Sequence, residues 1–316
     1  MSTPLSIKPP PEWPLGHVGF VALLGRPNTG KSTLLNSVLD YHLAAVSPRP
    51  QTTRRRLLGV YSTDGMQALF LDTPGVHAGG GPLDEAMQEG VRRALHDADV
   101  VVLMADPTRL PGQAEDQKVL ELAIAAHKPV ILVLNKRDVT NAEQQEAVRA
   151  FFAPSLPPAT PVVHISALNK GSLGPLLAAI RARLPEGPFL YPADMLTDTI
   201  ERHVGAELIR EVLLDLLSAE LPHAIAVEIE AWKELHDQRE ISAVLHVERD
   251  SQKRIVIGEG GRMIKQIRDD AKKKLAELCG APVHLDLWVK VSDDWRKNKN
   301  RLGEFGLLPG FSGKGR

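Results

Sequence analysis

Short apolar runs alternate with amphipathic stretches along the first 185 residues of the chain. The runs are continuously apolar, which is typical of parallel strands buried on both faces. Five of them predict strands, at residues 17–24, 68–71, 100–104, 130–134 and 162–165. Helical periodicity lies between them, at residues 31–39, 84–95 and 113–127. This alternation predicts an α/β domain with a mostly parallel, doubly wound sheet.

The pattern changes after residue 185, where a stretch containing Pro and Gly interrupts it. A helical pattern at 198–218 precedes two alternating stretches, at 223–231 and 241–247, that are typical of antiparallel strands. A glycine turn, a helical pattern at 262–278 and a strand pattern at 283–291 complete an α+β arrangement. In chain order, we predict an N-terminal tail (1–14), the α/β domain (15–185), a linker (186–197), an α+β domain (198–292) and a basic C-terminal tail (293–316).

Charge is unevenly distributed along this sequence. The whole chain carries a net charge of −1, but residues 250–316 hold 15 Lys and Arg against 9 Asp and Glu. A basic end on an acidic body indicates a polyanionic partner for that end, with a solvated basic surface as the plainer alternative.

The sequence also bears on the compartment of the protein. Cys279 is its one cysteine, which excludes an intramolecular disulfide. The first residues lack an apolar signal core, and no run approaches the roughly 18 apolar residues of a membrane span. We therefore expect a cytoplasmic protein.

The first strand leads directly into a phosphate-binding motif. Residues 25–32 read GRPNTGKS and match G-x-x-x-x-G-K-[ST], between a predicted strand and a predicted helix. In this motif, backbone N–H groups surround the phosphates, Lys31 reaches the β- and γ-phosphates, and Ser32 binds Mg²⁺. The helix that begins at Lys31 directs the positive end of its dipole at the same place.

A second motif, about 100 residues later, selects the base. Residues 135–138 read NKRD, and the Asp138 carboxylate can accept from both N1–H and the N2 amine of guanine. Adenine has no such pair of donors. Asn135 and Lys136 brace the pocket, and a backbone N–H of Ser166–Ala167 can meet guanine O6. The two motifs together predict GTP.

Two further segments complete the predicted nucleotide site. Asp72 ends a strand and would hold Mg²⁺ through water, while the N–H of Gly75 can approach the γ-phosphate because no side chain intervenes. Thr53 is the candidate that completes the Mg²⁺ shell, with Thr52 as the alternative. We thus expect Lys31, Thr53 and Gly75 to act in catalysis and Ser32, Thr53 and Asp72 to bind the metal. The predicted nucleotide-binding residues are Gly25, Arg26, Pro27, Asn28, Thr29, Gly30, Lys31, Ser32, Thr33, Asp72, Thr73, Pro74, Gly75, Val76, Asn135, Lys136, Arg137, Asp138, Ser166 and Ala167.

One position indicates slow hydrolysis. Ras-type GTPases place a water-orienting glutamine just after D-x-x-G, where this chain has Val76. An isopropyl group cannot orient a water molecule, so we expect a rate on the order of 10⁻⁴–10⁻² s⁻¹ without a partner.

The second domain carries a GxxG turn between two helical patterns. KH domains use such a turn to clamp the backbone of about four nucleotides, with an adjoining apolar groove for the bases. A simple turn between helices is the alternative, but basic residues surround this one and favour RNA. The predicted RNA-binding residues are Lys253, Arg254, Ile257, Gly258, Glu259, Gly260, Gly261, Arg262, Lys265 and Arg268.

These motifs resemble the Era family of bacterial GTPases, which carry a C-terminal type II KH domain. The similar segments of the first domain are GRPNTGKST, QTTRRRLLGV, DTPGVH and NKRD. Those of the second are YPADMLTD, AELIREVLL, ELPHAIAVEIE, VERDSQKRIVIGEGGRMIK and LWVKVSDDWRKN. The second group is the more specific, because many GTPases share the first.

The resemblance implies an α/β P-loop GTPase domain followed by an α+β type II KH domain. It implies binding to small-subunit ribosomal RNA near its 3′ end and a role in maturing the 30S subunit. Peripheral association with the inner membrane is implied as well, and a monomer is the default expectation. In related GTPases an asparagine at the position of Asn28 helps to bind K⁺, although it can instead brace the loop. Glu259 departs from the family, in which this position is often basic.

Three mechanisms are compatible with the sequence. In the first, GTP and Mg²⁺ order two switch loops and bring the KH domain into its RNA-binding orientation. In the second, the protein is an RNA-binding scaffold with GTP as a slow structural ligand. In the third, the basic tail meets anionic lipid, although the 292–316 segment has little amphipathic pattern. The histidines are scattered without ligand spacing, so they indicate no metal site beyond that of Mg²⁺, and K⁺ at Asn28 stays the further cation that the resemblance allows.

Overall fold

The computed structural model describes residues 13–49, 52–77, 79–218 and 220–308, and in them the chain forms two sheets flanked by helices. The first domain contains strands β1 (Leu15–Gly25), β2 (Leu57–Thr63), β3 (Met66–Asp72), β4 (Val100–Ala105), β5 (Val130–Leu134), β6 (Val162–His164) and β7 (Glu186–Pro188). Its helices are α1 (Lys31–Leu39), α2 (Pro82–Asp97), α3 (Ala114–Ala125), α4 (Ala142–Phe152) and α5 (Gly174–Arg181).

The strand order of this sheet is β2-β3-β1-β4-β5-β6. The pairs from β3 to β6 are parallel, whereas β2 is antiparallel to β3, and β7 is antiparallel to the start of β1. The predicted doubly wound, mostly parallel sheet is therefore confirmed. Helices α1 and α5 cover one face, and α2, α3 and α4 cover the other. Such sheets bind ligands at the carboxyl ends of their strands. Residues 25–32, 72–75, 135–138 and 166–167 lie at these ends, after β1, β3, β5 and β6.

The second domain has an α+β arrangement, as predicted. It contains α6 (Glu201–Leu216), β8 (Ala226–Glu234), β9 (Arg239–Val247), α7 (Asp250–Ile257), α8 (Arg262–Cys279), β10 (Val283–Val291) and α9 (Lys299–Glu304). The sheet order is β10-β9-β8, with β8 and β9 antiparallel and β9 and β10 parallel. Apolar side chains of α6, α7 and α8 pack together on one face of this sheet.

Several element bounds differ from the sequence prediction. Strand β2 was not predicted, because only its first residues are continuously apolar and it lies on the edge of the sheet. The predicted linker includes β7 and the buried Phe189. The predicted strand at 223–231 begins later, at Ala226, because Leu221–Ala224 forms a 3₁₀ turn.

The C-terminal segment requires a larger correction. We predicted a basic tail from residue 293, but Trp295 is fully buried and its Nε1 donates to Ala224 O at 2.9 Å. Phe305 packs edge-on against the Trp295 ring at 5.7 Å. Apolar side chains of both domains join them in one cluster of Leu83, Met87, Ala226, Trp295, Leu302, Phe305 and Leu307. Spacing of these anchors is irregular, which hides them from a periodicity analysis.

The two domains also meet along α6. Val204 and Leu208 of this helix pack into the apolar cluster of the first domain beneath α1 and α5. The Glu211 carboxylate accepts from Val46 N at 3.2 Å and lies 3.0 Å from His42 Nε2. Residues 1–12 of the predicted N-terminal tail and 309–316 of the C-terminal tail lie outside the described part. Among the helices that the structure describes, none has the length and apolar character that crossing a membrane requires.

Candidate nucleotide site and nucleic-acid interface

The phosphate loop connects β1 to α1 through backbone conformations that glycine permits. Gly30 has φ +94° and caps α1, and a Cβ there would overlap the Asn135 side chain. Gly75 lies against Pro27, and a Cβ would come within 2.7 Å of the Pro27 backbone. Both positions therefore allow backbone to close around a phosphate group.

Lys31 is buried at the base of this loop. Its Nζ donates to Arg26 O at 2.9 Å and to Gly25 O at 3.2 Å, so the loop itself positions the ammonium group. Burial lowers the pKa of Lys31 to about 8, and the nearby Asp72 carboxylate opposes this shift. The loop thus holds a desolvated amine that phosphate charge would stabilise in its protonated form.

Binding of MgGTP is therefore expected to take up protons in alkaline solution. Phosphates favour the ammonium form, so the pKa of Lys31 rises on binding. We expect uptake of roughly 0.5–1 proton per GTP at about pH 8.5, and close to none at about pH 7. Calorimetry in two buffers of different ionisation enthalpy measures this uptake. Equal values at the two pH conditions would show that the free amine is already protonated at both.

Three oxygen ligands converge beside the loop. Ser32 Oγ lies 2.8 Å from Thr53 Oγ1 and donates to Asp72 Oδ2 at 2.8 Å, and Thr53 Oγ1 also reaches Asp72 Oδ2 at 3.1 Å. Asp72 is fully buried, and burial raises the pKa of its carboxyl group. Its second oxygen, Oδ1, has no hydrogen-bond partner among the described residues. Hydroxyl and carboxylate oxygens are the ligands that Mg²⁺ prefers, so these residues fit that ion.

The geometry distinguishes between the two candidate threonines. Thr52 Oγ1 donates to Arg49 O at 2.9 Å, within its own loop. Thr53 is the one that faces Ser32 and Asp72, which favours it as the metal ligand.

The base-selecting motif is tied to its neighbours through side chains. Asn135 Nδ2 donates to Thr29 O at 2.8 Å, and its Oδ1 accepts from Ala167 N at 2.8 Å. One amide thus links the phosphate loop, the NKRD motif and the segment after β6. Lys136 Nζ donates to Asp106 Oδ2 at 2.5 Å. The sequence analysis missed Asp106, an isolated acid after β4 with no motif around it.

A cavity of about 460 Å³ opens between these motifs, within the size range of small-molecule sites. The predicted residues that line it are Pro27, Asn28, Gly30, Lys31, Ser32, Thr33, Thr53, Gly75, Asn135, Lys136, Asp138, Ser166 and Ala167. Residues 45–48, Arg109, Val139 and Leu168 also line it and were not predicted. Leu168 directly follows the predicted Ser166–Ala167 pair, and this adjacency could have identified it.

The other predicted nucleotide residues lie behind this lining. Gly25, Asp72, Thr73 and Pro74 support it from the strand ends, Thr29 lies within the phosphate loop, and Arg137 is an exposed member of the base-selecting motif. Arg26 turns away from the cavity, with NH1 2.8 Å from Asp116 Oδ2. Val76 is buried in the apolar cluster beneath α2, α3 and α4, so its side chain does not face the phosphates. Asn28 Nδ2 donates to Pro48 O at 2.6 Å, which braces the loop at 45–48.

The GxxG turn joins α7 to α8 as a tight, exposed corner. Gly258, Gly260 and Gly261 have φ of +72°, +60° and +78°, which favours glycine at all three positions. Glu259 is highly exposed and pairs with Arg262 at 3.0 Å. The remaining predicted basic residues, Lys253, Arg254, Lys265 and Arg268, lie on α7 and α8 around this corner.

An apolar groove of about 490 Å³ runs beside the corner. Leu216, Leu217, Leu221 and Ala224 line it together with Ile255 and Met263, and Arg296 is at its edge. We call this the base groove. Ile257 was predicted here, but Ile255 lines the groove and is 56% exposed. Sequence reasoning missed Ile255, Met263 and Arg296, of which the first two flank the predicted turn.

Comparisons with known proteins cover both domains. The family described as "50S ribosome-binding GTPase" matches residues 20–136, and a KH domain family matches residues 220–296. The GTPase Era of Geotalea daltonii is 40% identical over 92% of this chain and 97% of its own length. The GTPase Era of Ectopseudomonas mendocina is 40% identical over 93% and 98%.

Two solved structures match the whole arrangement. A variant of Aquifex aeolicus Era bound to GDP·AlF₄⁻ has a TM-score of 0.88 and 36% identity, and covers 92% of this chain and 99% of its own. Era in complex with MgGDPNP and nucleotides 1506–1542 of 16S ribosomal RNA has a TM-score of 0.87 and 37% identity, over 93% and 99%. The two-domain fold, the nucleotide motifs and these similarities agree, and the chain belongs to the Era family of GTPases.

Proposed function

We propose that this protein is a GTP-hydrolysing switch that binds the 3′ end of small-subunit ribosomal RNA and assists assembly of the 30S subunit. The convergence of Ser32, Thr53 and Asp72 beside the guanine motif carries the nucleotide part of this proposal. The exposed GxxG corner with its base groove supports the RNA part. The relative solved with MgGDPNP and 16S ribosomal RNA matches this chain over both domains.

Each residue of the site has a separate role in phosphate transfer. Lys31 neutralises charge on the β- and γ-phosphates, and the N–H of Gly75 is placed to donate to the γ-phosphate. Ser32 and Thr53 would supply hydroxyl ligands for Mg²⁺, and Asp72 would supply the carboxylate. That ion, when bound, would neutralise developing charge on the phosphate oxygens. Because Val76 is buried in the core, its side chain is not placed to orient the attacking water.

The switch and the scaffold alternative differ in the ratio of the RNA affinities measured with GDPNP and with GDP. We would determine the affinity of the full chain for nucleotides 1506–1542 of 16S ribosomal RNA in the presence of GDPNP and then of GDP. Tighter binding with GDPNP supports a switch, because the two sites are then coupled. Equal affinities would support an RNA-binding scaffold in which GTP is a slow structural ligand.

We expect slow turnover that K⁺ accelerates. A rate on the order of 10⁻⁴–10⁻² s⁻¹ follows from a site that lacks a water-orienting glutamine. Asn28 Oδ1 can contribute to a K⁺ site while its Nδ2 braces Pro48. A cation beside the phosphates should raise the rate by ~10-fold or more. Turnover would be compared in KCl and NaCl of equal ionic strength. Equal rates would assign Asn28 to bracing alone, and a partner-free rate above about 1 s⁻¹ would contradict slow hydrolysis.

Glu259 is expected to weaken the RNA clamp. Its exposed carboxylate lies at the GxxG corner and neutralises Arg262 through their ion pair. Glu259→Lys should tighten RNA binding and steepen the log–log dependence of affinity on salt by about one unit. A matched control is Glu277→Lys, which makes the same charge change near the far end of α8. Unchanged affinity and slope in Glu259→Lys would place this side chain away from the RNA backbone.

For the cellular setting, we propose a monomer in the cytoplasm with peripheral contact to the inner membrane. Trp295, Leu302 and Phe305 are committed to the protein interior, so these apolar groups are not offered to a lipid surface, and the contact is left to charged groups. Sedimentation with liposomes would therefore show binding that depends on anionic lipid and disappears at high salt. Sedimentation with neutral liposomes to the same extent would contradict this electrostatic contact.

A further inference from the structure

Arg54 connects the metal-binding threonine to the second domain. It follows Thr53 directly, so the two Cα atoms are about 3.8 Å apart. The side chain leaves the first domain and is 2% exposed. Its NH1 donates to Ile225 O at 2.8 Å and its NH2 donates to His223 O at 2.6 Å. One guanidinium therefore holds the chain between α6 and β8.

These contacts reach the wall of the base groove. Leu221 and Ala224, which line the groove, belong to the same short segment as the two acceptor carbonyls. The Arg54 guanidinium also lies 5.7 Å from the centroid of the Trp295 ring, and Trp295 Nε1 donates to Ala224 O. Arg296, at the edge of the groove, follows Trp295 in the chain. Arg54 thus touches both segments that form this side of the groove.

Burial of the Arg54 guanidinium among other positive charges costs free energy. Burial lowers the pKa of Arg54 to about 9, and the nearby charges of Arg210, Arg296 and Arg55 act in the same direction. Glu207 is the attractive charge that faces it. Within the described residues, its Nε has no hydrogen-bond partner. A charged group held inside the protein in this way tends to return to water when its anchor is released.

We propose that Arg54 is the positioning residue through which the nucleotide state of Thr53 sets the shape of the base groove. While Thr53 is held at Ser32 and Asp72, the backbone keeps Arg54 on the carbonyls of His223 and Ile225. Loss of the γ-phosphate releases the segment around Thr53, as in other GTPases whose switch segments become disordered after hydrolysis. Arg54 then withdraws, and the groove wall loses its support. This inference rests on the proposed switch function and names the contact that performs it.

The test compares variants of the full chain that change neighbouring arginines. Arg54→Gln removes the charge and the bidentate contact, whereas Arg54→Lys keeps the charge but cannot span both carbonyls. Arg56→Gln is the matched control, because Arg56 pairs with Asp97 on the surface of the first domain. For each protein, we would measure the affinity for nucleotides 1506–1542 of 16S ribosomal RNA with GDPNP and with GDP.

We expect the ratio of the two affinities to be about 5–150 in the unmodified protein, the usual range of coupling between sites. The ratio should fall toward one in Arg54→Gln and Arg54→Lys and remain unchanged in Arg56→Gln. By linkage, the same loss should appear in the effect of RNA on GDPNP affinity. A merely structural role for Arg54 would instead lower the RNA affinity by the same factor with GDPNP and with GDP, and would leave the ratio unchanged.

The other outcomes separate this inference from the function on which it rests. A coupled ratio that survives in both Arg54 variants overturns the role of Arg54 and leaves the switch intact. An equal loss of the affinity ratio in Arg56→Gln also overturns the role of Arg54. Removal of any positive charge from this segment would then have the same effect. A ratio of one in the unmodified protein overturns the switch itself, and the inference with it.

Discussion

Replacing Asp138 with asparagine is expected to exchange guanine for xanthine as the preferred base. The carboxylate accepts from N1–H and from the N2 amine of guanine, and these are two charge-assisted hydrogen bonds. In the variant, one of these bonds to guanine becomes neutral and the other becomes a contact between two N–H donors. At about 1.5–3 kcal/mol for each charged bond, GTP affinity should fall by up to roughly 10²–10⁴-fold. In the variant, the amide oxygen still accepts from N1–H while the amide nitrogen donates to O2 of xanthine. Competition between GTP and xanthosine triphosphate in an equilibrium binding assay measures the exchange.

Asp106→Asn is the matched control for this experiment. Asp106 contacts the motif through Lys136, which its carboxylate orients, and its other oxygen accepts from Thr108. Arg109 Nε lies 3.9 Å from the oxygen that accepts from Lys136. This control should weaken binding of both nucleotides without any gain for xanthosine triphosphate. Strict preference for GTP in Asp138→Asn would show that another group reads the base.

Truncation of Trp295 to alanine is expected to destabilise the second domain by about 3–5 kcal/mol, the range for a large aromatic side chain removed from a core. The ring is fully buried between the two domains, and its N–H satisfies the carbonyl of Ala224. Removal leaves both a cavity and an unpaired acceptor. Urea unfolding followed by circular dichroism would resolve this domain as a separate transition, because two-domain proteins seldom unfold in one step.

Trp288→Ala provides a matched control for that measurement. This substitution removes the same side chain as Trp295→Ala, but Trp288 lies on β10 and is 65% exposed. We expect its effect on the free energy of unfolding to stay within about 0.5 kcal/mol. Equal stabilities of the two variants would contradict the packing of the C-terminal segment and would support the solvated tail that its sequence suggests.

The sequence by itself determined those features whose chemistry lies within a short stretch of chain. Residues 25–32 are contiguous, so one short stretch of chain supplies the backbone N–H groups, Lys31 and Ser32 that reach the phosphates. Continuous apolar runs predicted the buried parallel strands, because both faces of such strands must be apolar. The GxxG turn and its basic neighbours predicted an RNA-binding corner for the same local reason.

The tertiary structure decided whatever depends on residues that are distant in sequence. Thr52 and Thr53 are chemically identical, and only the path of their loop relative to Asp72 separates them. Asp106 is an unremarkable acid until folding brings it to Lys136. Residues 293–308 look like a charged tail, because their few apolar anchors pair with surfaces that α2 and β8 supply.

Arg54 shows most clearly what a local sequence pattern cannot determine. In the sequence it is one of three consecutive arginines, a pattern that indicates a solvated or RNA-binding surface as readily as a buried group. Its acceptors are the carbonyls of His223 and Ile225, about 170 residues away, so no local pattern can reveal them. Backbone carbonyls carry no side-chain signature, and only the packing of one domain against the other determines which of them an arginine meets.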